Sequence, residues 1–156
     1  LSEFRIRNME EKDIDTIYKH IHQSYVNKYF KNEREQKELH NRQYESIIYS
    51  KNYIFHIFEN NSDEFIAMVR HKLENNISEV AIYLNREFRA KNYSKQILKK
   101  SIQEIRIRRK EIKIIEAHIL EENIVSQKLF SSLNFRYEGN KNYDALDYML
   151  FRLILD

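Results

Sequence analysis

Along this chain the spacing of apolar residues keeps switching between the two-residue period of a strand and the 3.6-residue period of a helix, and that alternation limits the architectures open to it. Phe4 and Ile6 alternate with Arg5 and Arg7 as a short strand. Met9 to Asp13 breaks the pattern, and Asp13 is expected to N-cap a helix bearing Ile14, Ile17, Tyr18 and Ile21. A polar stretch around Asn32 to Glu38 leads to a second helical pattern with Leu39, Tyr44, Ile47 and Ile48 on one face. Tyr53 to Phe58 and Phe65 to Val69 read as strands around the turn-forming run Glu59 to Asp63. Glu74-Asn75-Asn76 turns the chain into a strand at Val80 to Leu84. From Lys91 to about Arg108, Ile97, Leu98, Ile102 and Ile105 share one face of a long helix flanked by Lys and Arg. Ile112 to Leu120 reads as strand and Val125 to Leu133 as a short helix. Phe135 to Tyr137 and Tyr148 to Leu155 close the chain as strands joined by a loop at Gly139 to Ala145.

Few folds share the resulting order, β-α-α-β-β-β-α-β-α-β-β, which contains no internal repeat or linker. A length of 156 residues has room for one core, so residues 1–156 are expected to form a single domain. Hydrophobic residues at 42%, including 11 Tyr and 9 Phe, supply enough apolar area to argue against disorder. Cysteine is absent, which excludes a disulfide framework, a thiolate metal site and a cysteine nucleophile. Neither a membrane-length apolar run nor the basic-then-apolar order of a signal peptide is found, so a cytoplasmic setting without membrane contact is expected. The first residue is Leu and not Met, as expected of a chain trimmed or cut from a longer one.

A net charge of +3, from 27 basic and 24 acidic residues, is far milder than the single-sign field of most nucleic-acid binders. The run Arg106-Ile107-Arg108-Arg109-Lys110 is explained by the preference of cations for a helix C-terminus, and no nucleic-acid partner is expected. With one Gly and no Pro, any glycine-dependent motif must appear in altered form, and Asn is the residue that best replaces Gly at positive φ.

Two segments carry such a motif. Val80 to Ser94 resembles the acetyl-CoA motif of the GNAT N-acetyltransferase superfamily, a strand followed by Arg/Gln-x-x-Gly-x-Gly/Ala opening a helix, written here as Arg89-x-x-Asn92-x-Ser94. Glu122 to Phe135 is similar to the later family pattern Glu-Asn-x-x-Ser-x-x-Leu-Tyr/Phe-x-x-Leu-Gly-Phe, with Asn134 in place of Gly. The resemblance implies an α/β (α+β) GNAT fold, with a mixed, mostly antiparallel sheet split between the cofactor strand and the strand ending at His118, and helices on both faces. It implies acetyl-CoA as co-substrate and transfer of its acetyl group to an amine, without a metal. Backbone groups of Ile82, Tyr83 and Leu84 would pair with the pantetheine. The segment Arg89, Ala90, Lys91, Asn92, Tyr93, Ser94 and Lys95 would hold the pyrophosphate. The physics agrees, because loop amides and the positive end of a helix favour an anion.

Asn123 matches a family residue that contacts the cofactor, and it could equally N-cap the helix starting near Val125. Phe130 stands where many relatives carry a Tyr that protonates the departing thiolate, and Phe cannot donate a proton. A base is needed to take a proton from an alkylammonium substrate. His118, five residues before Asn123, is where several relatives place an acid/base residue; a core histidine bonded to backbone is the competing reading. Glu79 opens Glu-Val-Ala-Ile-Tyr, which resembles the branch acting on ribosomal-protein N-termini and nucleotide-linked amino sugars, and it either orients a water or the substrate amine or is a solvated strand-entry charge. The remaining histidines show no metal-ligand spacing. His40-Asn41-Arg42-Gln43-Tyr44 is similar to the His-x-x-aromatic arrangement of amino-sugar acetyltransferases, against the plainer expectation of a surface His40 beside a buried Tyr44. The expected acceptor is therefore a small-molecule amine, with a nucleotide-linked amino sugar suggested. Protein N-termini, polyamines and a non-catalytic coenzyme-A-binding role compete with it, and a homodimer is left open.

Overall fold

The computed structural model describes residues 4–22 and 33–156. Ile21 of the first helical pattern has a described backbone only, and part of the polar stretch before the second helix lies outside these residues. The elements are β1 (Arg5–Asn8), α1 (Lys12–Ile17), α2 (Glu33–Ile47), β2 (Tyr53–Glu59), β3 (Phe65–Glu74), β4 (Ile77–Leu84), α3 (Ser94–Arg108), β5 (Ile114–Leu120), α4 (Ile124–Ser132), β6 (Arg136–Tyr143) and β7 (Leu146–Ile154). A π turn, Tyr18–His22, extends α1, and a 3-10 turn, Arg86–Lys91, precedes α3. The order matches the one read from periodicity, and the seven strands form one sheet in the order β1-β2-β3-β4-β5-β7-β6. Only β4 and β5 run parallel. No helix among the described residues is long and apolar enough to cross a membrane.

Strand alternation divides the sheet's apolar residues between two faces. On one face α3 buries Ile97, Leu98, Ile102 and Ile105 against Val69, Val80, Ile115 and Phe151, and α4 adds Phe130. On the other face Ile14 and Ile17 of α1 and Ile48 just past α2 cover Phe55, Ile57 and Met68. This second cluster reaches β4 only through Tyr83, and the same face of β4, β5 and β7 carries Glu79, Glu116, His118 and Arg152 among apolar neighbours such as Ile77 and Leu150. A buried chain of hydrogen bonds fixes α3 to the sheet: Ser101 Oγ lies 2.7 Å from His56 Nδ1 and 2.8 Å from His71 Nε2, and His71 Nδ1 lies 2.8 Å from Ser78 Oγ. Desolvation keeps both rings neutral, lowering His56 to about 4 and His71 well below the ordinary value.

Three local expectations are corrected. Asp13 is not the N-cap, a position held by Glu11 without a side-chain bond. Its buried carboxylate instead takes two 2.7 Å bonds from Arg7 and a 2.8 Å bond from the Glu10 amide. The polar residues from Glu33 onward are already helical, because tertiary cover for a few side chains, such as buried Gln36 and His40, outweighs the lack of an apolar stripe. Gly139 to Tyr143, expected as loop, is strand, and the chain reverses in two residues, Asp144 and Ala145, both at positive φ.

Candidate active site

The parallel pairing of β4 with β5 covers Ile77↔Ile114, Ser78↔Ile115 and Glu79↔Glu116 and goes no further. Beyond it β4 stays paired with β3 through Leu84, and β5 stays paired with β7 through Leu120. The two strands therefore diverge in a fork, leaving the facing backbone groups of Val80–Leu84 and Ala117–Leu120 without ladder partners in each other. Such edges can accept an extended, amide-bearing ligand as an added strand. Side chains do not compete for this role: Ile82 and Leu84 pack on the main core and Tyr83 on the second.

At the open end of the fork the chain enters α3 in a form suited to an anion. Asn85, buried, ties the loop down by donating from Nδ2 to Phe65 O at 2.8 Å and accepting from the Glu87 amide at 3.2 Å. Asn92 adopts the left-handed conformation, φ 60° and ψ 33°, which the sequence pattern assigns to glycine. Tyr93 then occupies the N-cap of α3 with no side-chain cap bond, so the first amides of a 15-residue helix keep their donors. Arg89 and Lys95 are exposed nearby, and neither makes an ion pair among the described residues. Of Ala90 and Lys91 only the backbone is described. The residues fit a pyrophosphate on this evidence of geometry alone: uncapped amides, a left-handed turn and unpaired cations.

At the closed end, Glu79 and His118, nominated separately from sequence, meet. His118 Nδ1 lies 2.9 Å from Glu79 Oε1, and its Nε2 is 3.8 Å from Glu116 Oε1. The hydrogen bond from His118 and the nearby charges of Arg70 and Lys72 hold the Glu79 carboxyl below the ordinary carboxylate range against its own desolvation. An ionised Glu79 accepts a hydrogen, so Nδ1 is the donor, and in the neutral ring the lone pair falls on Nε2. Nε2 is buried and makes no hydrogen bond among the described residues. His118 is thus neither the backbone-bonded core histidine nor an isolated side chain.

The dyad lines a cavity of about 650 Å³ with Tyr53, Arg70, Lys72, Glu74, Ala81 and Tyr83 on the β2–β4 side and Lys141, Tyr143 and Tyr148 on the β6–β7 side. A neighbouring cavity of about 390 Å³ shares Lys72, Glu74, Glu79, His118 and Lys141. Periodicity missed most of this lining. Arg70 and Lys72 left a signal, two cations at alternate positions of an otherwise apolar strand; Lys141 and Tyr143 left none, because their segment reads as loop.

The other nominated residues have structural partners. Asn123 N-caps α4, its Oδ1 accepting from the Ser126 amide at 3.1 Å. Phe130 is buried, edge-on to Phe135 with ring centroids 5.0 Å apart. His40 is buried, contrary to expectation, with Nε2 3.0 Å from Ile14 O and its ring 4.7 Å from that of Tyr44. Tyr44 is the less buried of the two and faces a separate cavity of about 400 Å³ with Arg70 and Tyr83. Among the described residues no group of three or more His, Cys, Asp or Glu is arranged to hold a metal ion.

A family model described as "Acetyltransferase (GNAT) domain" matches residues 3–136. No curated protein matches the sequence. Among solved structures, a variant of the spermidine N-acetyltransferase SpeG from Vibrio cholerae superposes with a TM-score of 0.80 at 15% identity, covering 99% of this chain and 95% of that one. A Vibrio cholerae spermidine/spermine N-acetyltransferase SpeG in complex with manganese ions gives 0.78 at 17%, covering 98% and 93%. A dodecameric spermidine N-acetyltransferase from the same organism gives 0.79 at 16%, covering 99% and 95%. At these identities the likeness is one of fold.

Proposed function

Because the chain belongs to the GNAT acetyltransferase family, we propose that it moves the acetyl group of acetyl-CoA directly to the primary amine of a small molecule, with His118 as the base and Glu79 as the residue that positions it. The observation that carries this reading is the location of the dyad at the apex of the β4–β5 fork, beside the last paired residues Glu79 and Glu116. Acetyl-CoA brings an activated thioester. Residues 89–95 hold its pyrophosphate through backbone amides and cations, and the backbone of Ile82, Tyr83 and Leu84 pairs with the pantetheine so that the acetyl end approaches the apex.

Nε2 of His118 takes a proton from the substrate ammonium through a water, and the imidazolium formed is stabilised by Glu79 and, at longer range, Glu116. The free amine then attacks the carbonyl carbon, the C–S bond breaks to release coenzyme A as its thiolate, and the nitrogen gives up its second proton to solvent as the amide forms. Phe130 donates no proton, so the leaving thiolate is protonated by solvent or a tyrosine of the cleft.

Replacing His118→Ala tests the reading. The rate of coenzyme A release with saturating amine should fall by roughly a hundredfold or more, acetyl-CoA affinity should hold, and high pH should restore part of the rate by supplying free amine from solvent. Full activity of the variant at neutral pH would remove His118 from the reaction. A second reading takes a polyamine as acceptor; it is favoured by the substrates named for the SpeG structures, whose fold this chain shares.

A further inference from the structure

One row of side chains crosses the sheet at the cleft: Tyr53, Lys72, Glu79, Glu116, Arg152 and Arg136 are successive register partners over six strands. The two carboxylates of this row are already answered. Glu116 accepts from Arg152 Nε and Nη2 at 2.7 Å, and Glu79 holds His118 at 2.9 Å with Arg70 Nη2 3.7 Å away. The lysines on the cleft walls are not. Lys72 and Lys141 approach no carboxylate within ion-pair distance among the described residues, although both line both adjoining cavities. Arg70 Nε is buried with no hydrogen-bond partner. The remaining carboxylate of the lining, Glu74, sits at the end of β3 beside the Asn75 turn, two positions beyond Lys72.

We infer that the acceptor is an amine that also carries a phosphate or carboxylate, gripped by Lys72 and Lys141 from opposite walls with Arg70 behind them, while the amine points at His118. This rests on the function proposed above and narrows its acceptor. A polyammonium chain needs carboxylates facing its further charges, and here Glu79 and Glu116 are engaged by arginine and histidine; Glu74 alone is set against two unpaired lysines that would repel such a chain. An anionic group satisfies both lysines at once. The cleft's Tyr53, Tyr83, Tyr143 and Tyr148 add hydroxyls that make no hydrogen bond among the described residues, a lining suited to a polar ring.

The test compares four acceptors at saturating acetyl-CoA: glucosamine 6-phosphate, muramic acid as the carboxylate case, neutral glucosamine, and spermidine. Coenzyme A release and the shift in thermal midpoint are both read, for the parent chain and for Lys72→Glu/Lys141→Glu. The expected kcat/KM with an anionic amine is at least roughly tenfold above neutral glucosamine, with spermidine lowest, and the double variant brings the ratio of anionic to neutral amine down to about one. The better of the two anionic amines identifies the group recognised. Spermidine used as well as or better than the anionic amines would overturn this inference and leave the acetyltransferase reading intact. Selective binding of an anionic amine, lost in the double variant but without turnover, would uphold the inference and overturn the catalytic reading. Neither turnover nor selective binding would remove both.

Discussion

His118 and Glu79 are separated by 39 positions along the chain yet share one hydrogen bond, and the properties of each depend on the other. A carboxylate on Nδ1 fixes the tautomer that leaves Nε2 basic. Glu79→Gln keeps the shape but removes that control, because the amide can turn and donate to Nδ1, leaving the proton on Nε2. The variant should lose about a hundredfold in kcat with little change in acetyl-CoA affinity, read from steady-state kinetics and cofactor titration. An unchanged kcat would mean that Glu79 does not orient the imidazole. The fold exploits the same economy at Asn92 and Asn134, left-handed at φ 60° and 69° in a chain with a single glycine. Both positions could be assigned from sequence, since a motif with Asn where Gly is expected leaves few other conformations for that residue.

Among the elements, α3 joins the site to the core. Its inner face of Ile97, Leu98, Ile102 and Ile105 is buried, as its 3.6-residue spacing predicts, and this packing aims the uncapped N-terminus at the mouth of the fork. Acetyl-CoA at a hundredfold excess over its Kd should raise the thermal midpoint by about 5–10 °C through preferential binding to the folded state. Ser94→Glu sets a carboxylate against the pyrophosphate and should abolish that rise while leaving the midpoint of the free protein near its parent value, because an acidic residue suits a first helical turn. A variant that still responds to acetyl-CoA like the parent would place the pyrophosphate elsewhere. The β6–β7 hairpin shows the opposite case. Its strand β6 is almost wholly exposed, so it lacks the alternation that marks a strand, and the contributions of Lys141 and Tyr143 to the cleft were invisible beforehand.

For the whole molecule, the buried relay of His56, Ser101, His71 and Ser78 ties three strands to α3 and ties stability to pH. A histidine whose folded pKa lies below its unfolded value binds fewer protons when folded, so stability is full above the ordinary imidazole range and declines as pH falls below it. For His56, lowered to about 4, the loss between pH 7 and pH 5 is about 2 kcal/mol, and His71 adds to it in the same direction. Urea titrations at the two pH values check this, with His56→Gln expected to flatten the slope. Equal stability at both would show that the rings are not held neutral. Glu79 acts at lower pH: its depressed carboxyl contributes stability above the ordinary carboxylate range that is lost as pH falls through its folded pKa.

The order of elements and the inner face of α3 are local properties of spacing and residue type and can be read along the chain, and the left-handed asparagines follow from the family pattern that has Gly in their place. Tertiary structure alone decided three other features. Where β4 parts from β5 depends on each strand keeping its outer neighbour, a choice made by β3 and β7, residues far away in sequence. Whether His118 is a core residue or half of a dyad depends on the register Glu79↔Glu116, since a slip of one residue would send Glu79 to the opposite face. The charge of the cleft depends on which carboxylates find partners: Glu116 and Glu79 are matched by Arg152, Arg70 and His118, and Lys72, Lys141 and Glu74 are left over among the described residues. A composition of 27 basic and 24 acidic residues holds no record of that pairing, because Coulomb energy depends on distances that only the folded sheet sets.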